Sequence, residues 1–167
     1  MSNKGTQRKI ILDLAVTLDG FIEGKNGEVD WCIMEPDMEF THFLEQIDAI
    51  FYGRKSYELW GQYRPKDEDG DAEKELWEMV HAKKKYVFSK TKKTTGQQAT
   101  FINENIHEEV MQLKGQPGKD IWLYGGASLI TYFINAGLVD EFRLSIHPVV
   151  LGEGKPLYRV AGRQRAV

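Results

Sequence analysis

The stretch Asp120-Ile-Trp-Leu-Tyr-Gly-Gly-Ala-Ser128 holds the residues best suited to bind a ligand through the backbone. Its apolar run reads as a buried strand, and Leu129, Ile130, Phe133, Ile134 and Leu138 recur beyond it at helical spacing. The strand therefore feeds a helix at Gly125-Gly126, followed by Ala127 and Ser128. Glycines there let N–H groups approach a ligand, and the helix N-terminus adds partial positive charge. That combination suits a pyrophosphate; a tight turn without a ligand has the same signature. Two further strand ends carry related groups. Asp48-Ala-Ile-Phe-Tyr-Gly53 runs into Arg54-Lys55-Ser-Tyr, and Tyr86-Val-Phe-Ser89 runs into Lys90-Thr-Lys-Lys. Glycine, hydroxyl and cation thus collect where strands end, as a phosphate-rich dinucleotide requires.

A carboxylate and an indole stand apart from these anion sites. Lys9 to Val16 alternates, with Ile10, Leu12, Leu14 and Val16 on one side and Ile11, Asp13 and Ala15 on the other. Asp13 thus sits on an otherwise apolar strand, where a buried carboxylate needs a partner, either protein or ligand. Trp31 follows in an irregular, glycine-containing stretch, as a core anchor or as the wall of a pocket.

The elements that position these groups follow in order. Pro36 and Asp37 open a helix bearing Phe40, Phe43, Leu44 and Ile47. Ala72, Leu76, Met79 and Val80 mark another, with Lys83-Lys-Lys85 as its solvated end. Ala99 to Ile102 is a short strand, Asn105 with Glu108 has the spacing of a capping box, and Asp140 to Val150 alternates as a final strand. Strands alternating with helices predict a three-layer α/β sandwich around a largely parallel, mixed sheet, with ligands beyond the carboxyl ends of the strands.

Composition narrows the function. With 167 residues and 41% hydrophobic content, the chain is long enough for one domain, expected over 9–167 behind a polar tail, 1–8. A net charge of −3 argues against nucleic acid and anionic membrane as partners. Cys32 is the single cysteine, and the four histidines show no ligand spacing, so no metal site is expected. The basic N-terminus lacks the apolar core of a signal peptide, and no run reaches membrane-spanning length; a cytoplasmic protein is expected.

Five segments together resemble the dihydrofolate reductase-like family, in the branch of the riboflavin-biosynthesis reductase domain. They are Ala15-Val-Thr-Leu-Asp-Gly-Phe-Ile, Asp48-Ala-Ile-Phe-Tyr-Gly-Arg-Lys-Ser-Tyr, Tyr86-Val-Phe-Ser, Leu123-Tyr-Gly-Gly-Ala-Ser, and Gly137-Leu-Val-Asp-Glu-Phe-Arg-Leu with Pro148-Val-Val-Leu-Gly-Glu-Gly. The resemblance implies an NADPH-dependent reductase of a pyrimidine- or pterin-like heterocycle. It places Ala15 and Ile22 near the nicotinamide. Gly53, Arg54, Lys55, Ser89 and Lys90 fall toward the adenosine and its 2′-phosphate, and Gly125, Gly126, Ala127 and Ser128 around the pyrophosphate. A homodimer, with the last strand near a sheet edge, is implied too.

Three departures from the family pattern bear on the substrate. Asp13 stands where riboflavin-pathway reductases carry lysine, and Tyr124 where they usually carry glutamate. The segment after Gly152-Glu-Gly154 lacks the family's further strands, which predicts a shortened or differently completed sheet edge. Asp13, Trp31 and Tyr124 are therefore the expected substrate contacts. Asp13, Glu35 and Asp37 are the candidate proton-handling acids, the last two being equally suited to a helix N-terminus. The alternatives are dihydrofolate reduction itself and a nucleotide- or flavin-binding module without catalysis.

Overall fold

The computed structural model describes residues 7–33, 38–90 and 99–158. Glu35 and Asp37 lie outside them, as do residues 91–98 and the ends of the chain. The elements run β1 (Ile10–Thr17), β2 (Phe21–Glu23), α1 (Met38–Gln46), β3 (Ile47–Gly53), α2 (Arg54–Ser56), α3 (Asp71–His81), β4 (Lys84–Phe88), β5 (Thr100–Ile102), α4 (Ile106–Lys114), β6 (Asp120–Gly125), α5 (Ala127–Asn135), β7 (Glu141–His147) and β8 (Lys155–Pro156). A wider π-helical turn, Tyr57–Gly61, extends α2.

Six strands form a parallel sheet in the order β5-β4-β3-β6-β1-β7, and β2 pairs with β8 in a separate antiparallel ribbon. The chain steps one way along the sheet from β1 through β3 to β5, then returns through β6 to β7. Right-handed crossovers in opposite directions put helices on opposite faces. The packing follows suit. Phe43 and Leu44 of α1 and Trp77 and Val80 of α3 pack with Ile11, Ile50, Tyr52, Val87 and Trp122. Val110 and Leu113 of α4 and Leu129, Ile130 and Phe133 of α5 pack with Ile10, Leu12, Phe51 and Leu123. Period-two alternation of each strand thus sorts its residues between two cores, which gives the expected three layers. It also puts Asp13 and Ala15 on the α1/α3 face with Ile11.

The opposite, amino-terminal edge of the sheet is bound by charge. Arg8, buried, pairs with Asp48, and Lys114 Nζ reaches Asp140 at 2.7 Å. At the far side β7 ends the strand order, with Leu144 and Ile146 exposed.

Two local expectations fail for identifiable reasons. Asn105 precedes α4 in a left-handed conformation (φ 52°) and its side chain makes no capping bond, so no capping box forms with Glu108. Lys83–Lys85 is not a solvated helix end. Strand β4 starts at Lys84, and alternation turns Lys85 inward onto the α3 face, where it is buried. Lys85 Nζ donates to His81 Nδ1 at 3.0 Å, while His81 Nε2–H donates to the Tyr63 carbonyl. His81 is thereby held neutral. Burial pushes its pKa down; the Tyr63 carbonyl opposes this, and the nearby Lys85 and Arg64 add to the lowering, which prevails.

The unfolded chain therefore takes up a proton at His81 at higher pH than the folded one does. This contribution to stability is complete above the ordinary value of 6.5 and declines as pH falls below it. Denaturation midpoints should drop between about pH 7.5 and 5.5. In His81→Gln that part of the drop should disappear; an identical pH profile in the variant would show that His81 is not its source.

Candidate functional site

The sheet splits at its carboxyl edge between β1 and β6. Pairing of these two strands ends at Leu12 and Leu123, although β1 stays paired with β7 as far as Thr17 and His147. On the other side β6 stays paired with β3 to Gly125. Asp13 and Ala15 thus flank one side of a crevice, and Tyr124 and Gly125 the other. The indole Nε1–H of Trp122 donates to the Asp13 carbonyl at 3.0 Å, at the point where the β1–β6 ladder stops.

Beside the crevice, the glycine turns meet. Gly53 and Gly125 end adjacent strands, and a Cβ placed on Gly53 would lie 3.3 Å from the Gly126 nitrogen. Gly125 has φ +109°, and a Cβ there would stand 2.8 Å from Ile130 Cδ1, so only glycine fits the bend into α5. Ser56 Oγ would lie 3.2 Å from a Cβ on Gly126; this is the hydroxyl of the Gly53-Arg-Lys-Ser motif, and it joins the cradle. Ala127 and Ser128 begin α5. Gly53 pairs with Phe88, which brings Ser89 and Lys90 beside Arg54 and Lys55. Arg54, Lys55 and Lys90 are exposed, and Arg54 Nη1 lies 3.4 Å from Glu58 Oε1. The three strand ends read from the sequence are therefore one contiguous surface.

The α1/α3 face of the crevice is different in character. Asp13 Oδ2 is 3.6 Å from Arg143 Nε, directly across β7 in register, and Arg143 lies over the Phe43 ring at 4.9 Å. Alternation along Asp140–Val150 marks Arg143 as the same parity as His147, but the pairing of β7 with β1 that delivers it to Asp13 is a tertiary event. Between Phe51/Leu123 and Tyr52/Gly125 the register shifts, leaving Tyr124 as an extra residue on β6. Its ring lies 5.0 Å from that of Tyr52 and 5.1 Å from that of Trp122. Burial, then Tyr52, Cys32 and Glu23, push the Tyr124 phenol above its ordinary range, so it is a protonated donor at any physiological pH. Burial does the same to Tyr52, with Tyr57 adding to it.

Loop segments close the crevice. Ile22 of β2 packs with Leu157 on the α4/α5 core, near β1. Trp31 stands edge-on to His147 at 5.5 Å, and His147 Nε2 accepts from the Ile33 N–H at 3.2 Å. The loop tryptophan is thus anchored at the end of β7. Asp19 accepts from the Thr17 hydroxyl and from the N–H groups of Leu151 and Gly152, which ties β1 to the segment ahead of β8. These bonds, Thr17 first, hold its carboxyl below the usual range.

A split parallel sheet with glycine turns at its carboxyl edge defines the dihydrofolate reductase-like class of α/β fold. The sequence profile of the RibD C-terminal domain matches residues 8–165, and the chain belongs to that family. It is 77% identical over 158 residues to the uncharacterized protein YyaP of Bacillus subtilis (strain 168), covering 95% of this chain and 84% of that one. A crystal structure assigned to riboflavin biosynthesis from Shewanella sp. PV-4 superposes with a TM-score of 0.73 at 22% identity, covering 93% and 86% of the two chains. The dihydrofolate reductase of Enterococcus faecalis, solved with NADP(H), superposes with a TM-score of 0.64 at 15% identity, covering 93% and 80%. The Thermotoga maritima deaminase and 5-amino-6-(5-phosphoribosylamino)uracil reductase gives 0.64 at 14%, covering 93% and 50%.

The Trp122–Asp13 bond replaces a missing ladder bond, so its loss leaves a partly buried carbonyl without its donor. Trp122→Phe keeps the ring packing and should cost about 1–3 kcal/mol of unfolding free energy. A denaturation midpoint equal to wild type would mean that the bond contributes nothing.

Proposed function

We propose that this protein is an NADPH-dependent reductase of a small pyrimidine- or pterin-like heterocycle. The observation that carries the reading is the meeting of three anion-binding strand ends beside the split between β1 and β6. The donor set fits the cofactor. The close approach of Gly53, Gly125 and Gly126 leaves backbone N–H groups for a pyrophosphate, together with Ala127 and Ser128 at the start of α5. Arg54, Lys55, Ser89 and Lys90 suit an adenosine 2′-phosphate, and Ala15 and Ile22 offer apolar contact to a nicotinamide. A structural neighbour solved with NADP(H), and another named as a 5-amino-6-(5-phosphoribosylamino)uracil reductase, support the same assignment.

Bound NADPH supplies a hydride and becomes NADP⁺. The protein's task is then to hold the substrate ring over the crevice, exclude water and bring a proton to the atom beside the reduced carbon. Asp13 is the carboxylate at the crevice, next to the Arg143 guanidinium. It would accept from a ring N–H or amino group and, once it has taken a proton from solvent, deliver the proton that balances the hydride. Trp31 and Tyr124 line the substrate side. Glu35 and Asp37 remain candidates for the same proton, outside the described residues.

NADPH should bind at least tenfold tighter than NADH, about 1.4 kcal/mol for the extra phosphate. Arg54→Ala should narrow that gap by weakening NADPH more than NADH; equal affinities in the wild type would remove the cofactor assignment. Asp13→Asn keeps the shape but not the charge. It should leave NADPH affinity within about threefold while lowering turnover by roughly 10²-fold. Full turnover in that variant would take Asp13 out of the chemistry, and NADPH binding with no reduction of any heterocycle would favour a binding module.

A further inference from the structure

The two ends of the crevice have opposite electrostatic character. At the cofactor end Arg54, Lys55 and Lys90 are exposed cations. At the substrate end, residues 13–33 carry five carboxylates and one lysine. Among the described residues three cations reach this wall and each is paired with a carboxylate, Lys25 Nζ with Glu153 at 2.7 Å, Lys155 Nζ with Glu23 at 3.0 Å and Arg143 with Asp13, so Asp19, Glu28 and Asp30 set the sign of the remaining charge. Glu28 and Asp30 are exposed beside Trp31, and Glu23 is close enough to influence the Tyr124 phenol. A concave, partly desolvated site concentrates such a field, so an anionic substituent entering here is opposed.

A second observation points to a ligand. Among the described residues, the buried side-chain polar atoms that lack a hydrogen-bond partner are Trp31 Nε1 and the Tyr52 hydroxyl. Trp31 lies against the end of β7, and Tyr52, on β3, has its ring 5.0 Å from that of Tyr124 at the other lip of the crevice. Tyr52 is 0% exposed, and an unpaired buried hydroxyl is costly, so a phenylalanine there would serve packing better. Both are neutral donors set among aromatic rings.

We propose that the ring bound at this face is planar and uncharged, with carbonyl or ring-nitrogen acceptors for neutral donors and an N–H for Asp13, and carries neither phosphate nor carboxylate. The inference rests on the reductase reading and narrows its substrate. It separates this chain from a reductase acting on a phosphoribosylamino-pyrimidine, whose substrate carries a phosphate. Reduction of such a ring is balanced by one hydride to carbon, which converts NADPH to NADP⁺, and one proton to the adjacent ring atom, which receives the π electrons.

Matched ligand pairs that differ only by phosphate test this, titrated calorimetrically into the full chain with and without saturating NADPH. Suitable pairs are riboflavin with riboflavin 5′-phosphate, uridine with uridine 5′-phosphate, and 6-hydroxymethylpterin with its pyrophosphate. In at least one pair the unphosphorylated member should bind tenfold or more tightly than its partner. That ratio should shrink when salt is raised from about 0.05 to 0.5 M, and in the double variant Glu28→Gln/Asp30→Asn. Tyr52→Phe should weaken the favoured ligand at least threefold without lowering the thermal midpoint. Equal or tighter binding of the phosphorylated members, or no binding of either member of any pair, overturns the inference. Because NADPH is titrated separately on the same sample, loss of the cofactor assignment is distinguished from loss of this one.

Discussion

A single hydrogen bond marks where the sheet stops being a sheet. Up to Leu12 and Leu123 the β1–β6 ladder is continuous; one residue later the Asp13 carbonyl is served by the Trp122 indole instead. A parallel sheet buried on both faces leaves little room for a ligand, because every backbone group is committed to a neighbour. Ending one ladder early creates that room, but each carbonyl it frees needs a new donor. Trp122 provides one from the strand that has moved away, while its ring fills the α1/α3 core between Phe40, Phe43 and Tyr124. The opening is therefore held at a fixed width by a side chain, and the groups on its two lips inherit that spacing.

The two faces of the split then take different chemistry from local sequence. On the β3–β6 side, glycines at adjacent strand ends let two turns come together, and no side chain could be added to either without displacing the other. On the β1–β7 side, parallel pairing in register sets a carboxylate beside a guanidinium and a threonine beside a histidine. The bulge at Tyr124 lies between them: regular pairing would set Tyr124 opposite Tyr52, and although the shift pairs Tyr52 with Gly125 instead, the two rings stay 5.0 Å apart.

Much of this was legible in the sequence because it is periodic or glycine-marked. The alternation of Lys9–Val16 places Asp13 correctly on the face shared with Ile11, and the helical spacing after Gly126 foretells α5. The three strand ends were visible as glycine, hydroxyl and cation directly after apolar runs. What periodicity cannot carry is which strands become neighbours. Arg143 next to Asp13, Trp31 on His147 and Ser56 over Gly126 all depend on contacts between segments distant in the chain. The same limit explains Lys85. Three consecutive lysines after a helix look solvated until the strand that follows turns the third one inward against His81. Asn105 shows the reverse case, in which a favourable capping spacing yields to a left-handed turn.

The wall beside β1 is sewn from two remote pieces of chain. Strands β2 and β8 are more than a hundred residues apart, joined by a short ribbon, by the N–H of Leu157 on the Gly20 carbonyl and by Asp19 on the 151–152 backbone. Such a seam has few bonds and closes a long loop, so it is a natural place for local opening while the six-stranded sheet stays intact. The glycine cradle, by contrast, is built on adjacent central strands and shares their protection. Access to the two halves of the crevice is thus governed by regions of unequal local stability, with the weaker seam beside β1.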